Sequence, residues 1–319
     1  MWFMWSRRAV LAAVPAAALA GRARAADYAE ALARAYGEPF RPVAAHSVAT
    51  SLAIVAQDRA DALLRGQGLK TGTVADRLRT LAKDERWLYA DDDAGRTAAV
   101  AAMNARLAEL RPRLAAAFGD LALPQPEVRR PAPADEARGG YREPPVYYVD
   151  LRNIRARPAW TLPTVAFHET VPGHALQAAV TGQPRPPSFS EAWATYAEQL
   201  ACDLGAYADD PRGELGYLHW RLFRLGRVIA DTGMGVLDWS ADQAVAAMRD
   251  LQGFDAAFVT IEADAQRMRT QPGVYAAQGL GALAIAQARP LTERDWPAFH
   301  RAILADAPSP YAMLPPHRG

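Results

Sequence analysis

The chain has 319 residues, 50% of them apolar and 22% charged, with a formal net charge of +1, enough for one large domain or two modest ones of ordinary globular composition. No basic block interleaves with aromatics, which argues against a nucleic-acid partner. Lys70 and Lys83 are the only lysines, the Arg-rich usage of a GC-rich genome, and the single Cys202 excludes an internal disulfide and reads as a small buried thiol in a helical run.

Residues 1–25 read as a targeting segment. Arg7 and Arg8 precede an apolar stretch from Ala9 to Ala20, and Ala23-Arg24-Ala25 has a small-x-small cleavage pattern, the order of a twin-arginine secretion signal. The stretch is too short to span a bilayer, no other segment is apolar for long enough, and no cysteine near the cleavage point offers a lipid anchor. The expectation is a periplasmic or secreted protein without a permanent membrane anchor.

From Tyr28 to about Gly119 the pattern predicts helices, making 26–122 an N-terminal helical region. Ala33, Ala35 and Tyr36 open an apolar face that Val48, Leu52, Ile54 and Val55 are expected to continue. Met103, Leu107, Leu110, Leu114 and Phe118 form a stripe at spacings of three and four, with Pro112 predicted to kink the helix or start a new one after Arg111. Pro124, Pro126, Pro131, Pro133, Pro144 and Pro145 with Gly139 and Gly140 make 123–145 a Pro-rich connection. Val146 to Leu151 is β-branched and aromatic and predicts a short strand. Helices resume from Thr161 and fill the rest of 146–319, with Pro163 near the start of the one that carries His168 and Gly-Pro clusters at 182–187, 209–213 and 271–273 separating the later ones.

The run His168-Glu169-Thr170-Val171-Pro172-Gly173-His174, followed by Gln177, Glu191 and Glu198, carries the chemistry. A zinc hydrolase needs three protein ligands, an open position for water and a carboxylate to take that water's proton. Adjacent residues on a helix point about 100° apart, so His168 can bind metal while Glu169 serves as general base. His174 is six residues from His168, about 240° around an ideal helix, so a regular helix would not chelate. Pro172 lacks a hydrogen-bond donor and Gly173 accepts unusual torsions, so a break there is expected to return His174 to the metal. Glu191 and Glu198 are candidates to complete the site; they are seven residues apart, two turns along one face.

These residues carry a resemblance. HETVPGHALQ matches the HExxPGHxxQ motif of the bacterial domain-of-unknown-function 885 family, grouped with gluzincin-like zinc metallopeptidases, and Phe189 to Glu198 is similar to its FxEGWALYAE segment. The resemblance implies a mainly α, gluzincin-like metallopeptidase with a small β element next to the metal-binding helix, Zn2+ as cofactor, and Glu191 as third ligand beside His168 and His174. Glu198 is then placed to orient a ligand histidine, with Gln177 nearby. Arg227 to Gly233 resembles the family's RLVVDTG run, and the similarity spans roughly Gly68 to Arg289. Departures are Gly235 where the family has His, Ala175 in place of a second motif His, and Pro272 to Gly281 without the Gln, Tyr and Lys of a PGQALxYKxG run.

Simpler readings stand beside these. Glu191 also suits a helix start after Ser190, Arg227 and Asp231 also read as an intrahelical ion pair four apart, and Tyr147, Tyr148 and Tyr275 are candidate oxyanion donors that also read as packing residues. His46, His219, His300 and His317 fit no ligand pattern, and Trp193 and Tyr196 are expected in the core beside the site. The expected function is an exported zinc peptidase-like hydrolase acting on a peptide or small amide substrate. The alternatives are a catalytically degenerate member that binds peptides or a partner, and a zinc amidase on a non-peptide amide.

Overall fold

The computed structural model describes residues 14–181 and 188–305. Among these the chain is mainly helical, with one small sheet. The helices are α1 (Val14–Tyr36), α2 (Pro42–Gly66), α3 (Val74–Ala82), α4 (Asp93–Leu110), α5 (Leu114–Phe118), α6 (Leu162–Glu169), α7 (His174–Val180), α8 (Phe189–Asp203), α9 (Pro211–Val236), α10 (Ala241–Gln252), α11 (Ile261–Thr270), α12 (Val274–Ala288) and α13 (Trp296–Leu304).

Their ends follow local chemistry. Thr73 with Asp76 and Ser240 with Gln243 form capping boxes at the starts of α3 and α10, Asp92 caps α4, and Asp210 caps α9 just ahead of Pro211. Pro112 ends α4 at Leu110 through a 3-10 turn before α5, and Met103, Leu107, Leu110, Leu114 and Phe118 are all buried.

The long helix α9 is the axis of the molecule, and α2, α8, α10 and α12 lie against it. The face that α2 turns to the core is an alanine stripe, Ala45, Ala49, Ala53, Ala56 and Ala60. The sequence-based expectation of a Val48, Leu52, Ile54, Val55 face is corrected here: Val48, Ile54 and Val55 are exposed. Small side chains let two long helices approach closely, so at this interface size outweighs hydrophobicity. The same demand explains Gly279, where a Cβ would come within 2.4 Å of Val228 on α9.

The paired Arg7-Arg8 lies outside the described residues, as does His317, and the 182–187 cluster does too. The expected cleavage pattern at Ala23 to Ala25 falls inside the continuous helix α1, whose Tyr28, Leu32, Ala35 and Tyr36 are buried. No helix among the described residues is long and apolar enough to cross a membrane.

The sheet has three short strands, β1 (Glu127–Arg129), β2 (Tyr141–Glu143) and β3 (Val146–Tyr148), in the order β1-β3-β2, with β1 parallel and β2 antiparallel to β3. The expected strand is therefore shorter than Val146 to Leu151. The segment 123–145, expected as a plain connection, supplies the other two strands; its prolines hide any period-two pattern.

Candidate metal centre

Helix α6 is short because its sequence stops it. Thr170 leaves the helical region (φ −115°, ψ −111°), Pro172 follows a cis peptide bond, and α7 begins at His174. The crossing turn is held by Gly173 N–H donating to the Phe167 carbonyl (3.0 Å), by Ala175 N–H donating to the Thr170 carbonyl (2.9 Å), and by Trp193 Nε1–H donating to the Pro172 carbonyl (2.9 Å). Gly173 is required by close approach: a Cβ there would lie 1.9 Å from the His168 carbonyl oxygen and 2.6 Å from that of Phe167. The break folds α7 back against the end of α6, and the His168 and His174 ring centroids come within 4.8 Å at an interplanar angle of 88°.

Helix α8 presents Glu191 to both rings. His174 Nε2 is 3.1 Å and His168 Nε2 3.5 Å from its carboxylate oxygens. One ligand atom from each of His168, His174 and Glu191 can be chosen so that all lie within 4.8 Å of one another. Two ligands each about 2.0–2.2 Å from a tetrahedral zinc ion are roughly 3.3–3.6 Å apart; the two His–Glu separations match this, and the widest pair, at up to 4.8 Å, has to close by about 1 Å for two imidazoles and one carboxylate to share such an ion.

The far side of each ring is fixed as well. Two turns along α8, the buried Glu198 places Oε1 2.7 Å from His168 Nδ1. His174 Nδ1 is 3.0 Å from the Ser190 hydroxyl, which donates onward to Gln177 Oε1 (3.0 Å). Nδ1–H donation outward in both rings would leave Nε2 of each as the atom facing Glu191, the tautomer a metal ligand needs once an ion replaces the proton shared with that carboxylate. Burial pushes Glu191 up, but its bonds to the two imidazoles outweigh this and hold it well below the usual carboxylate range. Burial and the Arg224 guanidinium push His168 down, yet Glu191 and Glu198 carry it to about 9; burial lowers His174. The carboxylates thus favour positive charge at this point, whether a proton or a divalent cation supplies it.

Two arginines that no sequence pattern singled out complete the surroundings. Arg224 on α9 lies 3.3 Å from Glu198 and 3.8 Å from Glu191, its Nε buried without a partner among the described residues. Arg142 on β2 donates to Glu169 Oε2 at 2.7 Å, and Glu169, one residue beyond His168, faces the same cleft of about 850 Å³. Strand β3 contributes Tyr147 to that cleft rather than Tyr148, which stacks on Tyr141 instead. Alternation along a strand allows only one of two neighbours to face a given side, and Gly140 leaves room, since a Cβ there would lie 2.8 Å from the Tyr147 hydroxyl.

The other candidates divide. Tyr275 and Gln278 line the cleft, and the Arg227 guanidinium lies against the rings of Phe223 and Tyr275. The Arg227–Asp231 pair is corrected: Arg227 donates bidentately to the buried Asp264 (2.6 and 2.7 Å). Asp231 instead accepts from Gly273 N–H (3.1 Å) and Ala276 N–H (2.9 Å), capping α12 away from the metal residues. Gly235 also lies elsewhere, under the ring of Tyr28, which a Cβ would meet at 2.3 Å. His46, His219 and His300 bond to Thr232, the Gln252 carbonyl, and Tyr196 with the Ala117 carbonyl respectively. Trp193 and Tyr196 are buried beside the site, and Cys202 is half-buried with its thiol pushed up to about 12 by burial.

Two solved structures resemble the chain. A "putative lipoprotein" from Colwellia psychrerythraea is 29% identical with a TM-score of 0.80, over 91% of this chain and 54% of that one. A "putative lipoprotein of unknown function" from Shewanella oneidensis is 18% identical with a TM-score of 0.69, over 90% and 58%, and shares the fold. The chain spans a little over half the length of these two proteins. No curated protein matches it. Residues 5–317 match the family described as bacterial protein of unknown function, DUF885, and the chain belongs to that family.

Proposed function

We propose that the protein is an exported, zinc-dependent peptidase-like hydrolase with a gluzincin-like arrangement. The observation that carries this is the convergence of His168, His174 and Glu191 from three successive helices, with a further carboxylate, Glu169, on the cleft side. Zinc held by those three side chains supplies Lewis acidity and lowers the pKa of water to about 7. Glu169 accepts the proton of the attacking water and delivers it to the departing amine. Arg142 holds the Glu169 carboxylate at 2.7 Å and sets its orientation in the cleft. Tyr147, buried apart from its cleft side, is a hydroxyl donor available to the developing oxyanion.

Glu198 and Ser190 fix the imidazoles so that little reorganisation accompanies each turnover. The expected test is Glu169→Gln: peptide hydrolysis falls at least about 1000-fold, within the range for removing a general base or a comparable electrostatic group, while zinc content stays at the wild-type level. Undiminished hydrolysis in that variant removes Glu169 from the mechanism, and failure of the wild-type protein to retain zinc removes the proposal itself.

A further inference from the structure

The cleft beside the metal residues is strongly basic, and most of its charge is accounted for. Arg142 pairs with Glu169, Arg152 donates to both oxygens of Asp150 (3.0 and 2.9 Å), Arg224 approaches Glu198, Arg227 is locked to Asp264, and Arg138 lies over the Tyr141 ring. Arg267, also without an ion-pair partner among the described residues, is exposed to solvent, whereas Arg157 is enclosed. It follows the turn Ile154–Ala156, its side chain lines the cleft, and the residue is only 6% exposed. Yet, among the described residues, it has neither a hydrogen-bonding nor an ion-pair partner for its guanidinium; Asp150, whose charge it feels, has both oxygens committed to Arg152. A guanidinium this enclosed, open only to the cleft and with no direct ion-pair or hydrogen-bonding partner, is placed to take a ligand of matching charge.

We infer that Arg157 binds a carboxylate of the substrate, so that the preferred peptides carry a free carboxylate close to the amide to be cleaved. Charge and geometry agree on the ligand. The planar guanidinium takes a carboxylate through two parallel N–H donors, which a lysine could not do. The position agrees as well: Arg157, Tyr147 and Glu169 line the same cleft, so the anion-binding group and the proposed general base face one space. The carboxylate can belong to the chain terminus or to an acidic side chain, and the two are separable by experiment.

This inference rests on the peptidase reading for the identity of the substrate, but its test needs no turnover. Zinc-loaded Glu169→Gln protein is titrated with acetyl-Ala-Ala-Ala as free acid, with the same peptide as C-terminal amide, and with acetyl-Ala-Asp-Ala amide, following calorimetry and intrinsic tryptophan fluorescence, to which Trp220 in the cleft contributes. A free acid, or the aspartyl amide, is expected to bind at least about tenfold more tightly than the neutral amide, the scale of a charge-assisted hydrogen bond. Which of the two wins identifies the source of the carboxylate. Adding Arg157→Met is expected to erase the preference at unchanged zinc content, and Arg157→Lys to leave a part of it. Equal binding of all three peptides, no binding of any, or a preference that survives Arg157→Met overturns the assignment; the first result holds whether or not the variants fold. Hydrolysis by the wild-type protein is scored separately. Preference without cleavage leaves Arg157 in place and removes the peptidase, whereas cleavage without preference does the reverse.

Discussion

Replacing Gly173 by Ala tests the link between the broken helix and the metal. The added Cβ would sit 1.9 Å from the His168 carbonyl oxygen and 2.6 Å from the Phe167 carbonyl oxygen, both backbone atoms that cannot rotate away. Restoring even a 3 Å separation requires a displacement of about 1 Å, whereas metal–ligand distances tolerate only about 0.2 Å. The shift falls on the peptide of His168 itself or on the residue preceding His174, so one of the two imidazoles leaves the cluster. A four-ligand zinc site binds with roughly 10–16 kcal/mol, so one ligand weighs on the order of 3 kcal/mol, about 100-fold in affinity. Competition for zinc against a graded series of chelators measures this, with thermal unfolding followed in parallel. Gly66→Ala is the control, since that helical glycine has open space where its Cβ would be, and it should leave zinc affinity unchanged. If Gly173→Ala binds zinc as tightly as wild type, the turn is not what brings the two histidines together and the reasoning fails.

Glu198→Gln should weaken zinc binding by about 10–100-fold, the range for losing the carboxylate behind a ligand histidine, and Ser190→Ala should cost less; chelator competition ranks them, and equal loss from both would contradict the 2.7 Å charged contact at His168. Gly235→Ala should lower stability by roughly 1–3 kcal/mol because its Cβ meets the Tyr28 ring, yet leave zinc content intact, as measured by metal analysis; loss of zinc would tie that departure from the family pattern to the metal centre after all. Asp231 titrates at about 7 because burial raises it despite the capping N–H groups of Gly273 and Ala276. A folded pKa above the unfolded value of about 3.9 gives stability that is complete below pH 4 and lost as pH rises through 7. Urea unfolding between pH 4 and 8 should therefore show a decline, flattened in Asp231→Asn, and an identical profile in the variant would refute the assignment. Glu169→Gln should separate turnover from zinc retention as described above.

The sequence by itself determined what is local. The 3.6-residue period placed the buried stripe from Met103 to Phe118, Pro112 marked the end of α4, and the Pro-Gly pair between His168 and His174 announced a broken helix. The family resemblance of the run across it and of Phe189 to Glu198 singled out His168, His174 and Glu191, and Glu198, two turns from Glu191 on one helix face, shares its direction whatever surrounds them. What only the tertiary structure decided depends on neighbours distant in sequence. Which face of α2 is buried was set by the close approach of α9, which selects alanines over Val48, Ile54 and Val55. Asp231 and Arg227, four apart on one helix, turned away from each other because Gly273, Ala276 and Asp264 offer them better partners from other elements. Arg142, Arg224 and Arg157 were invisible in advance since an arginine gains its meaning from the charge it meets in space, and strand β3 chose Tyr147 over Tyr148 by register alone.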